Sequence, residues 1–250
     1  MWRTMLVKDL QHLFKEKYRE KITFKLFYDT LRLFCGEPLA YVIGNVPFLG
    51  ATIDLFYRPL IPRPETEFWI EHAIKIMRIN GKKSPLVLDM FSGSGCIGIA
   101  VLAKINNARV TFTDTDPDFI AQIKKNLHLN MLDIKQAVII QSDVFKNISG
   151  TFDYILANPP YIPERSRDIA YSVTRWEPRN ALFGGVTGLD YIRQFLHDVP
   201  FHIRPGGKVF MELNISEKEA VEDIAKKIKG CDYEFWKDHH GVWRVLVLSF

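Results

Sequence analysis

Cysteine is scarce in this chain: Cys35, Cys96 and Cys231 are the only three in 250 residues. An odd number at wide spacing argues against a disulfide framework and against a clustered thiolate zinc site, and it suits a reducing compartment. Long apolar runs are also missing. No stretch approaches the ~18–20 residues that a membrane-spanning helix needs, so no membrane role is expected. The start, Met1 to Asp9, holds no extended apolar core, and acids arrive early at Asp9, Glu16 and Glu20. This predicts neither a secretory signal nor a mitochondrial presequence. Together these absences predict a cytoplasmic protein. Internal repeats and low-complexity tracts are absent too.

What is present supports a packed fold. Hydrophobic residues make up 47% and aromatics 13% of the chain, enough for a sizeable core. The length fits one large domain, alone or with a small companion. Net charge is +4, and it is concentrated at one end. Up to Arg32, eight basic residues (Arg3, Lys8, Lys15, Lys17, Arg19, Lys21, Lys25, Arg32) face four acids (Asp9, Glu16, Glu20, Asp29), so the remainder is neutral overall. Such a segment suits incidental RNA contact, or a protein partner lying beside RNA. A solvated helix surface accounts for it equally well.

Apolar spacing predicts two short helices over residues 5–35, through Leu6, Leu10, Leu13 and Phe14 and then Phe24, Phe27, Tyr28, Leu31 and Phe34. Residues 41–57 read as a hairpin turning near Gly50. Pro64-Glu65-Thr66-Glu67 opens a helix with proline and acids in its first turn. Strands and helices then alternate. Strands are predicted at 86–88, 109–113, 137–140, 154–157, 208–211, 233–236 and 242–248, with helices at 96–104, 117–129, 188–199 and 217–229. Repeated strand–helix units imply a mainly parallel sheet covered on both faces, its last two strands forming a hairpin.

In such a sheet, ligands bind beyond the carboxyl ends of the strands. The first strand runs into Phe91-Ser92-Gly93-Ser94-Gly95, whose glycines admit a ligand close to the backbone ahead of a helix start. The second ends in Asp114, placed to accept from ribose hydroxyls. The third ends in Ser142-Asp143, placed to accept from an adenine amine. Three such strand ends in a row point to an adenosine cofactor. Gly93, Gly95 and Gly98 keep the spacing of a dinucleotide fingerprint, so this loop leaves NAD and S-adenosylmethionine both open.

The fourth strand decides between them. It ends in Asn158-Pro159-Pro160-Tyr161, where the prolines hold the chain extended. The Asn158 side-chain oxygen and the Pro159 carbonyl can accept both N–H bonds of a planar amide or aryl-amine. They favour the positive charge that develops on its nitrogen and aim it at a methyl donor. Tyr161 can stack on the flat face of the acceptor. Elsewhere, His239-His240 ahead of Gly241 reads as a turn, with no third ligand at metal spacing. Glu212 at the end of the fifth strand fits a pocket wall or the surface. The long stretch 158–187, with Phe183-Gly184-Gly185, suits a substrate lid.

From Glu37 onward the chain resembles the HemK/PrmC family of release-factor glutamine methyltransferases. The likeness rests on Asn158-Pro159-Pro160-Tyr161 and on Ile61-Pro62-Arg63-Pro64-Glu65-Thr66-Glu67. Further matches are Trp176-Glu177-Pro178-Arg179, Ala181-Leu182-Phe183-Gly184-Gly185, Gly188-Leu189-Asp190, Lys237-Asp238, Gly241 and Arg244-Val245. The resemblance implies an α/β fold, a Rossmann-like seven-stranded class I methyltransferase domain over 63–250. A small N-terminal helical, substrate-binding segment (1–40) and a connecting β-hairpin (41–62) would precede it. It implies S-adenosyl-L-methionine as cofactor and N5-methylation of the glutamine in the Gly-Gly-Gln tip of a peptide-chain release factor. Apart from the resemblance, a monomer is expected. By position, Phe91, Ser92, Gly93, Ser94, Gly95, Asp114, Asp143, Val144 and Asn158 would hold the cofactor. Asn158, Pro159, Pro160 and Tyr161 would hold the glutamine and carry the chemistry. Apart from the resemblance, Arg63 and Glu65, with Glu67, suit gripping the substrate or supporting the site, and helix-start electrostatics accounts for them equally well. Phe91 stands where the family usually has glycine, and Val144 where some members place an aromatic. The competing readings are an N6-adenine methyltransferase on DNA or RNA, a ribosomal-protein glutamine methyltransferase, and a non-catalytic binding protein on the same scaffold.

Overall fold

The computed structural model describes the backbone of residues 2–166 and 169–250, and the side chains from residue 6 onward within them. Two helices open the chain, α1 (Trp2–Glu16) and α2 (Phe24–Phe34), followed by the short α3 (Leu39–Ile43). Thr23 caps α2, its hydroxyl accepting from the Leu26 N–H. Leu13, Tyr18, Leu33 and Val42 form a small core under these helices. Buried Asp29 receives the Tyr18 hydroxyl at 2.6 Å and pairs with Lys17 at 2.7 Å and Arg32 at 2.9 Å. Two of the amino-terminal cations are therefore paired internally. The apolar face of α2 turns outward: Phe24, Phe27, Tyr28, Leu31 and Phe34 are all exposed.

A hairpin follows, β1 (Asn45–Phe48) and β2 (Ala51–Asp54), turning at Leu49-Gly50 as the spacing predicts. It is anchored on both sides. The Glu67 carboxylate accepts the Leu49 N–H at 2.6 Å. Gln122, Asn126 and Asn130, spaced by one helical turn and so on one face, accept the N–H groups of Tyr57, Asp54 and Thr52 at 2.8, 2.8 and 2.9 Å. Phe48, Ala51 and Ile53 join the main core.

The rest alternates: α4 (Pro64–Ile79), β3 (Leu86–Met90), α5 (Cys96–Lys104), β4 (Arg109–Asp114), α6 (Pro117–Leu129), β5 (Ala137–Gln141) and β6 (Phe152–Ala157). Then come α7 (Tyr171–Trp176), α8 (Arg179–Leu182), α9 (Asp190–His202), β7 (Ile203–Glu212), α10 (Lys218–Ala225), β8 (Asp232–Lys237) and β9 (Trp243–Ser249). The seven-stranded sheet runs β5-β4-β3-β6-β7-β9-β8. Its strands are parallel except β9, which lies antiparallel between β7 and β8. This is the predicted Rossmann-like α/β sheet with its terminal hairpin.

The central strands are apolar on both faces because helices cover both. Alternate residues divide between two cores. Val87, Tyr154, Leu156, Phe210 and Val247 face α4, α5, α6 and the hairpin. Leu88, Ile155, Val209, Met211 and Leu248 face α9 and α10. The stretch from 158 to 187, too long for an idle connector, carries two short helices, α7 and α8. Helices of six and four residues are too short to show a helical period in sequence. Likewise α3 occupies part of the stretch read as hairpin, closed by Gly44 at φ 99°. Among the described residues no helix is long and apolar enough to cross a membrane.

Candidate active site

A cleft opens at the carboxyl ends of β3, β4 and β6. Its floor is the loop from β3 to α5. Gly93 sits at φ 52°, and a Cβ built there meets nothing within 4 Å, so open space lies against this backbone. Gly98 serves another purpose. A Cβ on it would lie 2.3 Å from the Phe112 ring, so it lets α5 press onto β4. Phe91 holds φ 60°, a left-handed conformation costing a non-glycine residue roughly 1–2 kcal/mol. Its ring, packed 6.1 Å from both Tyr191 and Phe195, offsets that cost. Val144 is left-handed as well, at φ 48°.

Asp114 lies across the cleft. Its Oδ2 accepts the Gly93 N–H at 2.8 Å and its Oδ1 the Asp116 N–H at 3.0 Å. Each carboxylate oxygen has a second lone pair, so both remain able to accept from a diol. Burial raises its pKa, opposed by the Asp116 and Gly93 amides. Asp89, below the loop, is fully buried and pushed up to about 7, by burial first, with the Gly98 N–H donation opposing. Cys96 is a packed thiol that burial pushes up to about 12. An open glycine backbone beside a carboxylate with free lone pairs fits an adenosine-bearing cofactor.

Phe91, Ser92, Gly93, Ser94, Asp114, Val144 and Asn158 all line this cleft, as do Arg63, Thr66 and Pro160. Asp143 does not reach it: Ser142 and Val144 line the wall, and the Asp143 carboxylate lies 2.5 Å from the Lys146 ammonium. Gly95 caps α5 behind the wall, where a Cβ on it would sit 3.1 Å from Ile123. Glu65 lines neither this cleft nor its neighbour; it is half-buried in the first turn of α4.

A neighbouring cavity shares Leu60, Arg63, Asn158 and Ala181 with the cleft. Pro159, Tyr161 and Ile162 complete its wall. Asn158 therefore borders both spaces. The acceptor-side loop is held by backbone contacts. Ile162 bridges Phe183, the Ile162 N–H donating to Leu182 O at 3.0 Å and the Gly184 N–H to Ile162 O at 2.9 Å. A Cβ on Gly184 would lie 2.4 Å from Pro160 O, and one on Gly188 2.3 Å from Tyr161 O. Residues 182–188 thus lie under the acceptor loop as a support, which the lid expectation does not anticipate.

Several polar partners were not legible in the sequence. Buried Glu177 accepts Arg63 Nη2–H at 2.6 Å and the Ile61 N–H at 3.1 Å, pinning the segment that carries Arg63. Glu212 is 2% exposed and accepts from Thr66 Oγ–H at 2.6 Å and Trp69 Nε1–H at 2.7 Å. Burial raises its pKa, and those two donors oppose the shift. Tyr161 is pushed above the usual tyrosine range by burial and then by the Glu212 charge. Thr66 is easily passed over between two acids that attract a charge-based reading; a buried hydroxyl one turn into a helix gives no sequence signal. His239 and His240 lie in the β8–β9 turn, where the Asp238 carboxylate accepts the His240 and Val242 N–H groups and binds Arg244 at 3.1 Å.

The methyltransferase small domain family matches residues 72–175. A release factor glutamine methyltransferase of Geobacter sulfurreducens is 32% identical over 84% of this chain and 72% of its own length. That of Lactococcus lactis subsp. lactis is 33% identical over 82% and 76%. Among solved structures, a 16S rRNA methyltransferase of Thermus thermophilus, in complex with AdoMet and guanosine, superposes with a TM-score of 0.59. That match is 20% identical and covers 82% of this chain and 49% of that one, a likeness of fold.

Proposed function

The chain belongs to the release factor glutamine methyltransferase family, and on that premise we propose that it methylates the N5 nitrogen of the glutamine in the Gly-Gly-Gln tip of a peptide-chain release factor, using S-adenosylmethionine. One observation carries this reading. Asn158 forms the shared wall between a cleft with a glycine floor and a second cavity bounded by Pro159 and Tyr161. An amide nitrogen held beside Pro159 and Tyr161 would face a group held against the glycine floor.

When bound, S-adenosylmethionine supplies an electrophilic methyl on a sulfonium. The chain's own residues do the rest. Asp114 accepts from the ribose hydroxyls, and the Gly93 backbone admits the cofactor closely. The Asn158 Oδ1 and the Pro159 carbonyl accept the two N–H bonds of the substrate carboxamide, holding its nitrogen in line and favouring positive charge on it. Tyr161 covers the flat face of the amide. No base is needed before transfer, because the nitrogen becomes acidic once alkylated and its proton then leaves to solvent. Arg63, on the wall of both cavities, stands where the substrate backbone would enter. The exposed aromatic face of α2 is the apolar surface that a protein substrate would cover. The reading carries a monomer acting in the cytoplasm, with any RNA contact incidental.

The test offers release factor, ribosomal protein and oligonucleotides side by side with methyl-labelled cofactor. Label on the release-factor glutamine is the expected result. Label on oligonucleotide alone would reject a protein substrate.

A further inference from the structure

A carboxamide is ambiguous: its oxygen accepts, its nitrogen donates, and the two are nearly the same size. An acceptor site built on Asn158 works for an NH2 group only if Oδ1, not Nδ2, faces that group. Something must hold the side chain that way round.

Glu212 lies at the end of β7 with both oxygens engaged. Oε2 takes Trp69 Nε1–H at 2.7 Å and Thr66 Oγ at 2.6 Å, while the Tyr161 hydroxyl lies 3.5 Å from Oε1. Indole nitrogen is only a donor and a carboxylate is only an acceptor. The single proton of the Thr66 hydroxyl is therefore spent on Glu212. Thr66 Oγ keeps lone pairs alone for its other partner, Asn158, at 3.4 Å. An acceptor there must meet Nδ2, which turns Oδ1 away from Thr66. Among the described residues, Glu212 and Asn158 are the hydrogen-bond partners of the Thr66 side chain.

We infer that Thr66 and Glu212 form a hydrogen-bond relay that fixes the orientation of the Asn158 carboxamide, making the site selective for an NH2 donor over a carbonyl. Both are positioning residues. Trp69 locks the carboxylate from below, and Tyr161 hangs from the same acid, so two walls of the acceptor cavity share one anchor. The inference rests on the proposed amide-nitrogen acceptor but makes a claim about Asn158 that can be measured without it.

The test compares Thr66→Val, which removes the hydroxyl at nearly constant shape, with Thr66→Ser, which restores it. Thr66→Val is expected to lower kcat on release factor at least about tenfold, as when a reacting group loses its alignment, with cofactor Kd and Tm little changed. Thr66→Ser should recover most of the turnover. In nitrogen-resolved NMR, the Asn158 side-chain amide protons should exchange slowly in the parent protein and fast in Thr66→Val. Glu212→Gln, whose oxygen can still accept from Thr66 and Trp69, should retain the slow exchange. Unchanged kcat in Thr66→Val, or a loss of cofactor affinity that tracks the loss of kcat, would overturn the relay. Absence of labelled release factor with the parent protein, beside intact slow exchange, would instead remove the substrate assignment and leave the relay standing.

Discussion

The cofactor-side wall and the acceptor-side wall of this site draw on different distances along the chain. The first is built from three successive strand ends between Met90 and Val144, and its main hydrogen bond, Gly93 to Asp114, links residues 21 apart. The second has Arg63, Asn158 and Tyr161 on its surface and Thr66, Glu177, Gly184 and Glu212 as their supports, with Thr66 and Glu212 separated by 146 residues and Arg63 and Glu177 by 114. A wall made from neighbouring units is formed as soon as the parallel sheet pairs. A wall made from distant segments needs the whole fold, so small displacements in any one of them are felt at the reacting atoms.

This contrast is sharpened by substitutions on each side. Asn158→Ala is expected to lower kcat at least about 10²-fold while leaving cofactor Kd nearly unchanged, the effect of removing a positioned acceptor. Single-turnover methyl transfer with separate cofactor titration measures both. Gly184→Ala places a methyl 2.4 Å from Pro160 O and 2.6 Å from Gly188 O, both backbone, so the acceptor loop must shift. An expected fall in kcat of about 30-fold, again without change in cofactor Kd, follows from misplacement on the order of 1 Å. Were Gly184→Ala to weaken cofactor binding first, the two walls would not be separable.

The cofactor side should respond in the opposite sense. Asp114→Ala is expected to weaken cofactor binding by about 10- to 100-fold, equivalent to ~1.5–3 kcal/mol for bonds to a charged group. Turnover at saturating cofactor should change less, as calorimetry beside initial rates would reveal.

The smallest effect concerns Asp89. Burial pushes its carboxyl up to about 7 in the fold, from the ordinary aspartate value of 3.8. The native state therefore binds more protons than the unfolded chain between those values, and stability falls as pH rises through that window and levels off above it. Asp89→Asn, which can still accept the Gly98 N–H, should flatten the profile. The expected difference between pH 6 and pH 8 is of order 1–2 kcal/mol, read as urea midpoints. Parallel profiles for the two proteins would place the titration elsewhere.

Much of the fold was legible. Cys96–Lys104 and Pro117–Leu129 have the helical bounds that the apolar spacing predicts, and each of the seven sheet strands lies over its predicted run. Amphipathic period and buried apolar runs are local properties, readable in windows of a dozen residues. Within the site, the glycine floor, Asp114 and the Asn158 loop stood out because each follows a strand end. Asp143 shows where that logic stops: the strand end was identified, but a side chain leaving the backbone one position over pairs with Lys146 instead. Glu212 was equally balanced between pocket and surface, since nothing near it in sequence names Thr66 or Trp69 as partners.

By itself, then, the order of residues determined the alternation of strands and helices, the carboxyl edge at which the cleft opens, and the place of the Asn158 loop after β6. Only tertiary packing decided which buried acids meet which donors, that Gly184 and Gly188 lie beneath the Pro160–Tyr161 backbone, and which way round Asn158 is held. The reason is one of range. Hydrophobic period acts between neighbours, whereas a buried polar group is satisfied by whatever the completed fold brings within about 3 Å of it.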